Sequence, residues 1–221
     1  MMRNIRILLL GCFVLLLSNC SSDNNNAIQE NEMLPPVART QIPDMAFERA
    51  LIELRIDDVE DGFVDKSDIQ MVTSLVMNNK GITNLTGIAD FPILENLGVN
   101  GNQITTLDVS KNTRLKFLFI ENNGLTSINV SNLTILEKLE VSNNALTILD
   151  IADNTALQLL RLTDNAVQNI DISKIPNNLQ LNTFSVEKNP LDCIKVNEET
   201  LSNIPSQWTK DQTDSYALEC N

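Results

Sequence analysis

The residue types that could do chemistry are unevenly supplied in this chain. It contains no histidine, which removes the commonest general base, the commonest nitrogen ligand for metals and every nucleophile–histidine arrangement. The cysteines are Cys12, Cys20, Cys193 and Cys220, and nothing near them in sequence favours the low thiol pKa that a reactive cysteine needs. No nucleophile, base and orienting group fall into a working spacing. The chain is therefore expected not to be an enzyme.

Carboxylates are the exception. Asp57, Asp61, Phe63 (through its carbonyl), Asp65 and Asp68 occupy positions 1, 5, 7, 9 and 12 of a segment with Gly62 at position 6, the ligand spacing of an EF-hand calcium loop. Val59 stands at position 3 where a ligand belongs, and Asp68 replaces the longer Glu at position 12. The same residues read equally as an acidic turn around Gly62 followed by a short helix capped by Ser67 or Asp68. Calcium is the one cofactor expectation. A second acidic column, Asp108, Asn129, Asp150 and Asp171, recurs at a fixed step; stacked about 4.8 Å apart, these side chains would more simply face solvent than hold a cation.

Charge limits the partners. The 16 basic and 29 acidic residues give a formal −13, and removal of Arg3 and Arg6 with a leader would deepen it. No run of Lys or Arg interrupts the acidity, so there is no electrostatic footprint for nucleic acid or for anionic headgroups.

The elements that must position any site begin after targeting information. Residues 1–19 read as a signal peptide, with Arg3 and Arg6 preceding an apolar run, Ile7 to Leu17, too short to remain as a membrane span. Leu17-Ser18-Asn19-Cys20 resembles the lipobox of bacterial lipoproteins, although Asn19 stands where Gly, Ala or Ser is usual. Leu9-Leu10-Gly11-Cys12 matches the box better but would leave almost no apolar run before cleavage. The resemblance implies lipid on Cys20, anchoring in the cell envelope, at the outer membrane and exposed on its surface; the alternative is an ordinary cleaved leader. Residues 20–41, polar and carrying Asn24-Asn25-Asn26 and Pro35-Pro36, are expected to be a disordered tether, and Ser22-Asp23 resembles an outer-surface sorting signal.

The strongest pattern is a repeat of 21 residues. Leu94, Leu97, Val99, Asn102 and Ile104 recur as Leu115, Leu118, Ile120, Asn123 and Leu125. Two more units follow: Leu136, Leu139, Val141, Asn144 and Leu146, then Leu157, Leu160, Leu162, Asn165 and Val167. Degenerate units flank them, at Val72 to Ile82 with Lys80 in place of Asn, and at Leu181 to Leu191 with Asn189. This LxxLxLxxNxL motif resembles the short repeat class of exported bacterial leucine-rich-repeat proteins. It implies an α/β-type repeat solenoid of about six rungs, mainly short parallel strands with an extended convex side and an N-terminal helical cap. The Asn after each strand is expected to pair backbone groups left unsatisfied by the inward bend and to stack as a ladder.

Raw hydrophobic layers at the ends of a stack need caps. Residues 42–71 supply one: Pro43-Asp44 starts a helix whose apolar stripe is Phe47, Ala50, Leu51 and Leu54. The repeats occupy residues 72–192. Residues 193–221, with Cys193, Trp208 and Cys220, resemble the cysteine-containing end caps of exported leucine-rich-repeat proteins. With Cys12 removed and Cys20 lipidated, the remaining pair is expected to form a Cys193–Cys220 disulfide in an oxidising compartment.

Alternation along LxxLxL turns two columns outward, Asn96, Phe117, Lys138, Leu159, Thr183 and Gly98, Phe119, Glu140, Arg161, Ser185. Exposed side by side, Phe117 and Phe119 with Lys138, Glu140, Leu159 and Arg161 form the expected partner-binding face. The alternatives are rings that partly cover each other or a one-residue shift that buries them. The family resemblance implies a non-catalytic module of the envelope that recognises protein or glycan, touching membrane through its lipid alone; a structural spacer or a subunit of an envelope complex is the second reading. Cys20→Ala is expected to move the protein from the membrane to the soluble fraction. Unchanged fractionation would contradict the anchor.

Overall fold

The computed structural model describes residues 37–176 and 181–220; Cys20, the leader and most of the tether lie outside them. The described part is one compact unit. It opens on β1 (Arg39–Gln41), α1 (Met45–Glu53), β2 (Phe63–Asp65) and α2 (Lys66–Ile69). The repeats carry β3 (Ser74–Val76), β4 (Asn96–Gly98), β5 (Thr106–Asp108), β6 (Phe117–Phe119), β7 (Ser127–Asn129), β8 (Lys138–Glu140), β9 (Leu159–Arg161), β10 (Asn169–Asp171) and β11 (Thr183–Ser185). The chain closes with β12 (Cys193–Lys195), α3 (Glu198–Ser202) and β13 (Tyr216–Ala217).

The chain is a leucine-rich-repeat solenoid. The six-stranded concave sheet runs β3, β4, β6, β8, β9, β11, each strand parallel to the next. In every rung the middle residue points inward: Leu75, Leu97, Leu118, Leu139, Leu160 and Phe184 are each 0% exposed. Burying a Leu side chain in this way is worth roughly 1.5–3 kcal/mol, and one such residue per layer, with the Met, Val, Ile or Leu two positions later, builds the core.

The convex side is thinner. β5 pairs only with β7, and β10 pairs with β12, which pairs with β13. Leu149 and Ile151 are buried like most of their counterparts in the other repeats, although residues 149–151 pair with no neighbouring convex strand. Asp108, Asn129, Asp150 and Asp171 accept hydrogen bonds from the backbone N–H two residues on, at 2.9, 3.1, 3.0 and 2.9 Å. They are turn-forming side chains.

Bends between the two faces rest on the expected ladder. Asn144 Nδ2 donates to the carbonyls of Ile120, Val141 and Ser142, at 3.0, 2.9 and 3.2 Å, and its Oδ1 accepts from Leu125 N–H at 3.0 Å. Asn102, Asn123, Asn165 and Asn189 repeat the arrangement, each reaching one carbonyl of the preceding rung. The residue before each ladder position is left-handed: Asn79, Gly101, Asn122, Asn143, Asp164 and Lys188. Asn, Asp and Gly tolerate that region best. A Cβ on Gly101 would lie 2.1 Å from Asn79 Oδ1, the end of an exposed side chain that would have to turn away.

The N-terminal cap begins earlier than expected. Arg39–Gln41, assigned to the tether by sequence, forms β1, antiparallel to β2, because Thr40 and Ile42 are buried and Thr40 Oγ1 donates to Asp90 Oδ2 at 2.6 Å. Asp44 caps α1 by accepting from Phe47 N–H, while its other oxygen accepts from Thr83 N–H, Thr83 Oγ1 and Asn84 N–H. Phe47, Ala50 and Leu51 lie against the first rung; Leu54 ends the helix and is exposed. Lys80, in the ladder position of that rung, sends its ammonium to Glu53 of α1.

At the other end Trp208 packs against Phe184 of the last rung, ring centres 5.0 Å apart, and its Nε1 donates to Leu181 O at 2.6 Å. Ser185 bridges Thr209, which carries the stack one turn further. Cys193 and Cys220 are disulfide-bonded, 27 residues apart in sequence. Replacing both by Ala is expected to lower stability by about 3 kcal/mol, read by urea denaturation. A loss under about 1 kcal/mol would mean that the cap holds without the cross-link.

Candidate functional site

The concave sheet turns two side-chain columns outward, in the register expected. Asn96, Phe117, Lys138, Leu159 and Thr183 stand side by side across neighbouring strands, and so do Gly98, Phe119, Glu140, Arg161 and Ser185. The register is secured by Leu118, which lies wholly in the core between the two phenylalanines. A shift of one residue would exchange those positions.

Neither phenylalanine is fully exposed as sequence suggested; both are half-buried. Neighbouring columns supply part of the cover. The Lys138 ammonium lies 5.3 Å from the centre of the Phe117 ring, within cation–π range. Phe119 sits beside Gly98, and beyond it Val76 of β3 is 52% exposed. Gly98 is itself buried, and a Cβ built on it would meet Val76 and Asn78 at 3.7 Å, ordinary van der Waals contact, so those neighbours cover the position. The apolar strip therefore runs from Val76 across Gly98 to Phe119.

Charge is arranged around this strip. Arg161 Nη1 meets Glu140 Oε1 at 3.1 Å, and Lys116 Nζ meets Glu95 Oε2 at 3.0 Å. Glu121, two residues beyond Phe119, has its carboxyl pushed above the ordinary glutamate range by burial and by the negative charge of Glu140, with Arg161 opposing. One guanidinium thus serves two carboxyls. Lys138 and Arg161 bring cations to this face, Glu140 and Glu121 carboxyl groups. The arrangement can grip an apolar or aromatic side chain and orient the polar groups around it.

The calcium-spaced residues are placed differently from the expectation. Phe63 and Asp65 lie in β2, not in a loop, and Asp68 lies on α2. Arg39 bridges Asp61, at 2.8 Å, and Asp65, at 3.0 Å. The N–H groups of Asp61, Gly62 and Phe63 converge on Glu48 Oε1, at 2.8, 2.6 and 3.2 Å. Asp57 instead accepts from Asp58 and Val59 N–H. Arg39 thus occupies the carboxylates of Asp61 and Asp65, while Asp57 and Asp68 lie outside that pairing and Asp57 Oδ2 is buried without a hydrogen-bond partner. Among the described residues no group of three or more His, Cys, Asp or Glu side chains could hold a metal ion. Glu48 was invisible to motif reading because it lies on α1, separated from the turn it organises.

No family model matches this sequence, and no curated protein does. Among solved structures the chain is similar to the functional domain of InlJ from Listeria monocytogenes, described as including a cysteine ladder: 25% identity and a TM-score of 0.62 over 86% of this chain and 50% of that one. It therefore spans half the length of that domain. Two further Listeria internalins are similar in part. One is internalin C2, at 20% identity and TM-score 0.37, covering 80% of this chain and 99% of that one. The other is inlF, at 20% and 0.39, covering 80% and 71%. The likeness to InlJ is one of leucine-rich-repeat fold. No cysteine lies between Cys20 and Cys193 here, and the ladder is built from asparagine.

The Glu121 shift carries a sign. A carboxyl whose pKa is higher in the folded than in the unfolded state favours the fold while protonated, and that contribution is lost as pH rises through the raised value. Glu121→Gln is expected to gain on the parent in melting temperature between about pH 4 and about pH 7. A gap that does not change with pH would contradict the crowding of Glu121 against Glu140.

Proposed function

We propose that this chain is a non-catalytic binding module of the bacterial cell envelope, held by lipid on Cys20 at the outer membrane, which recognises a protein partner through its concave face. The observation that carries the reading is the Phe117–Phe119 pair, partly open to solvent at the centre of a six-strand sheet and flanked in register by Lys138, Glu140, Leu159 and Arg161. Half-open aromatic rings with ordered charges beside them are the makings of an interface centre, where few residues carry most of the binding energy. The absence of histidine from the sequence and the likeness to a leucine-rich-repeat binding fold support a role without catalysis.

A protein partner is favoured over a glycan on this face because the apolar strip and paired charges match side chains better than hydroxyls. Phe117→Ala with Phe119→Ala is expected to abolish photo-crosslinks made from position 159 in envelope preparations, with the melting temperature lowered by only a few degrees. Crosslinks that survive the double substitution would mean that the two phenylalanines do not carry recognition.

A further inference from the structure

The C-terminal cap holds a cleft that the concave-face reading does not use. Between the last repeat and α3 lies a space of about 330 Å³, at the small end of the range for small-ligand sites. Ile172, Ile175 and Leu181 contribute apolar surface, each 6% exposed or less, and Trp208 lines it beside them. The indole is fixed by its Nε1 bond to Leu181 O and by tilted packing against Phe184 and Tyr216, so it is a preformed wall.

The polar lining is mostly amide, with the Thr200 hydroxyl and one carboxylate beside it. Asn182, Asn203 and Gln207 bring side-chain amides, and Glu199 is the one ionisable side chain among the described residues lining the space. Amides donate and accept alike, and so do sugar hydroxyls; a carboxylate accepts from two hydroxyls at once. A lipid chain would bury these amides without partners, at a cost. An anion would meet Glu199 with no lysine or arginine among those lining residues to offset it. An aromatic wall with apolar floor and amide rim suits the two faces of a pyranose, apolar C–H on one side and hydroxyls around the edge.

We infer that this cleft binds an uncharged saccharide, as a second site distinct from the concave face. Trp208 is the chain's single tryptophan, so its emission reports on the cleft directly. The full chain, purified in a detergent without a sugar headgroup, is titrated with the hexasaccharides of β-linked glucose, α-linked glucose and N-acetylglucosamine. At least one is expected to give a saturable emission change. Asn203→Ala with Gln207→Ala, both exposed positions, should weaken it about tenfold or more without changing the melting temperature, and Phe117→Ala with Phe119→Ala should leave it intact. The inference is overturned by no response to any of the three at about 10 mM, by undiminished affinity in the Asn203/Gln207 variant, or by a response to acidic oligosaccharides or peptides alone.

Discussion

Every rung of this molecule depends on satisfying the backbone where a strand turns inward over a dry core. A buried carbonyl or N–H without a partner costs roughly 1–3 kcal/mol, and each bend leaves several together. The asparagine amide is the side chain that meets both needs at once, donating through Nδ2 and accepting at Oδ1. Asn123 donates to Val99, Ile120 and Glu121 carbonyls and accepts from Ile104 N–H, which ties three successive segments through one residue. A left-handed residue just before it sets the angle. Because consecutive asparagines reach back to the preceding rung, the ladder holds the strands in register as well as closing the bends. The outward columns are a consequence: Phe117 stands beside Lys138 because Asn123 and Asn144 fix how their strands align.

The same logic explains the ends. An outermost layer has no neighbour to donate to or accept from, so each cap substitutes a different device. At the N-terminus Asp44 joins α1 to Thr83 and Asn84, and burial alone would raise its pKa, but the Thr83 hydroxyl and three backbone N–H groups hold it below the ordinary aspartate range. Glu48, 1% exposed, organises the following turn from the far side of α1. At the C-terminus an aromatic group, Phe184 with Trp208 and Tyr216, replaces aliphatic layering, and a covalent cross-link closes the tail. These ends are where the chain departs from its repeat, and where space for a small ligand has room to form. The repeated middle instead provides a continuous surface.

The legible parts of this structure were those the chain states locally and many times. A step of 21 residues, Leu at fixed offsets and Asn after each strand are enough to give the fold, the ladder and the outward columns. The left-handed residue before each ladder position, such as Asn122 or Asn143, was not read from the motif. What sequence missed is long-range or irregular. Asn112 and Asn154 are buried on the convex side, donating to Ile88 and Phe91 and to Val130 and Leu133 carbonyls. They occupy alternate repeats, with Leu133 between, so no column of identical residues marks them. The pairing of Asp61 and Asp65 with Arg39 could not be read from the spacing of the acidic turn, because Arg39 arrives from β1. The half-burial of Phe117 depends on where Lys138 lays its stem, a choice between rotamers that strand alternation does not fix.

The dependence of the stack on its ladder is most directly tested at Asn144, in the middle of the repeats, against Asn169, exposed on the convex side. In urea denaturation Asn144→Ala is expected to cost about 3 kcal/mol or more, because it strands carbonyls of two rungs and the Leu125 N–H. Asn169→Ala should stay within about 0.5 kcal/mol of the parent. An Asn144→Ala variant no less stable than Asn169→Ala would contradict the account, since the bends would then be held by something other than the asparagine ladder.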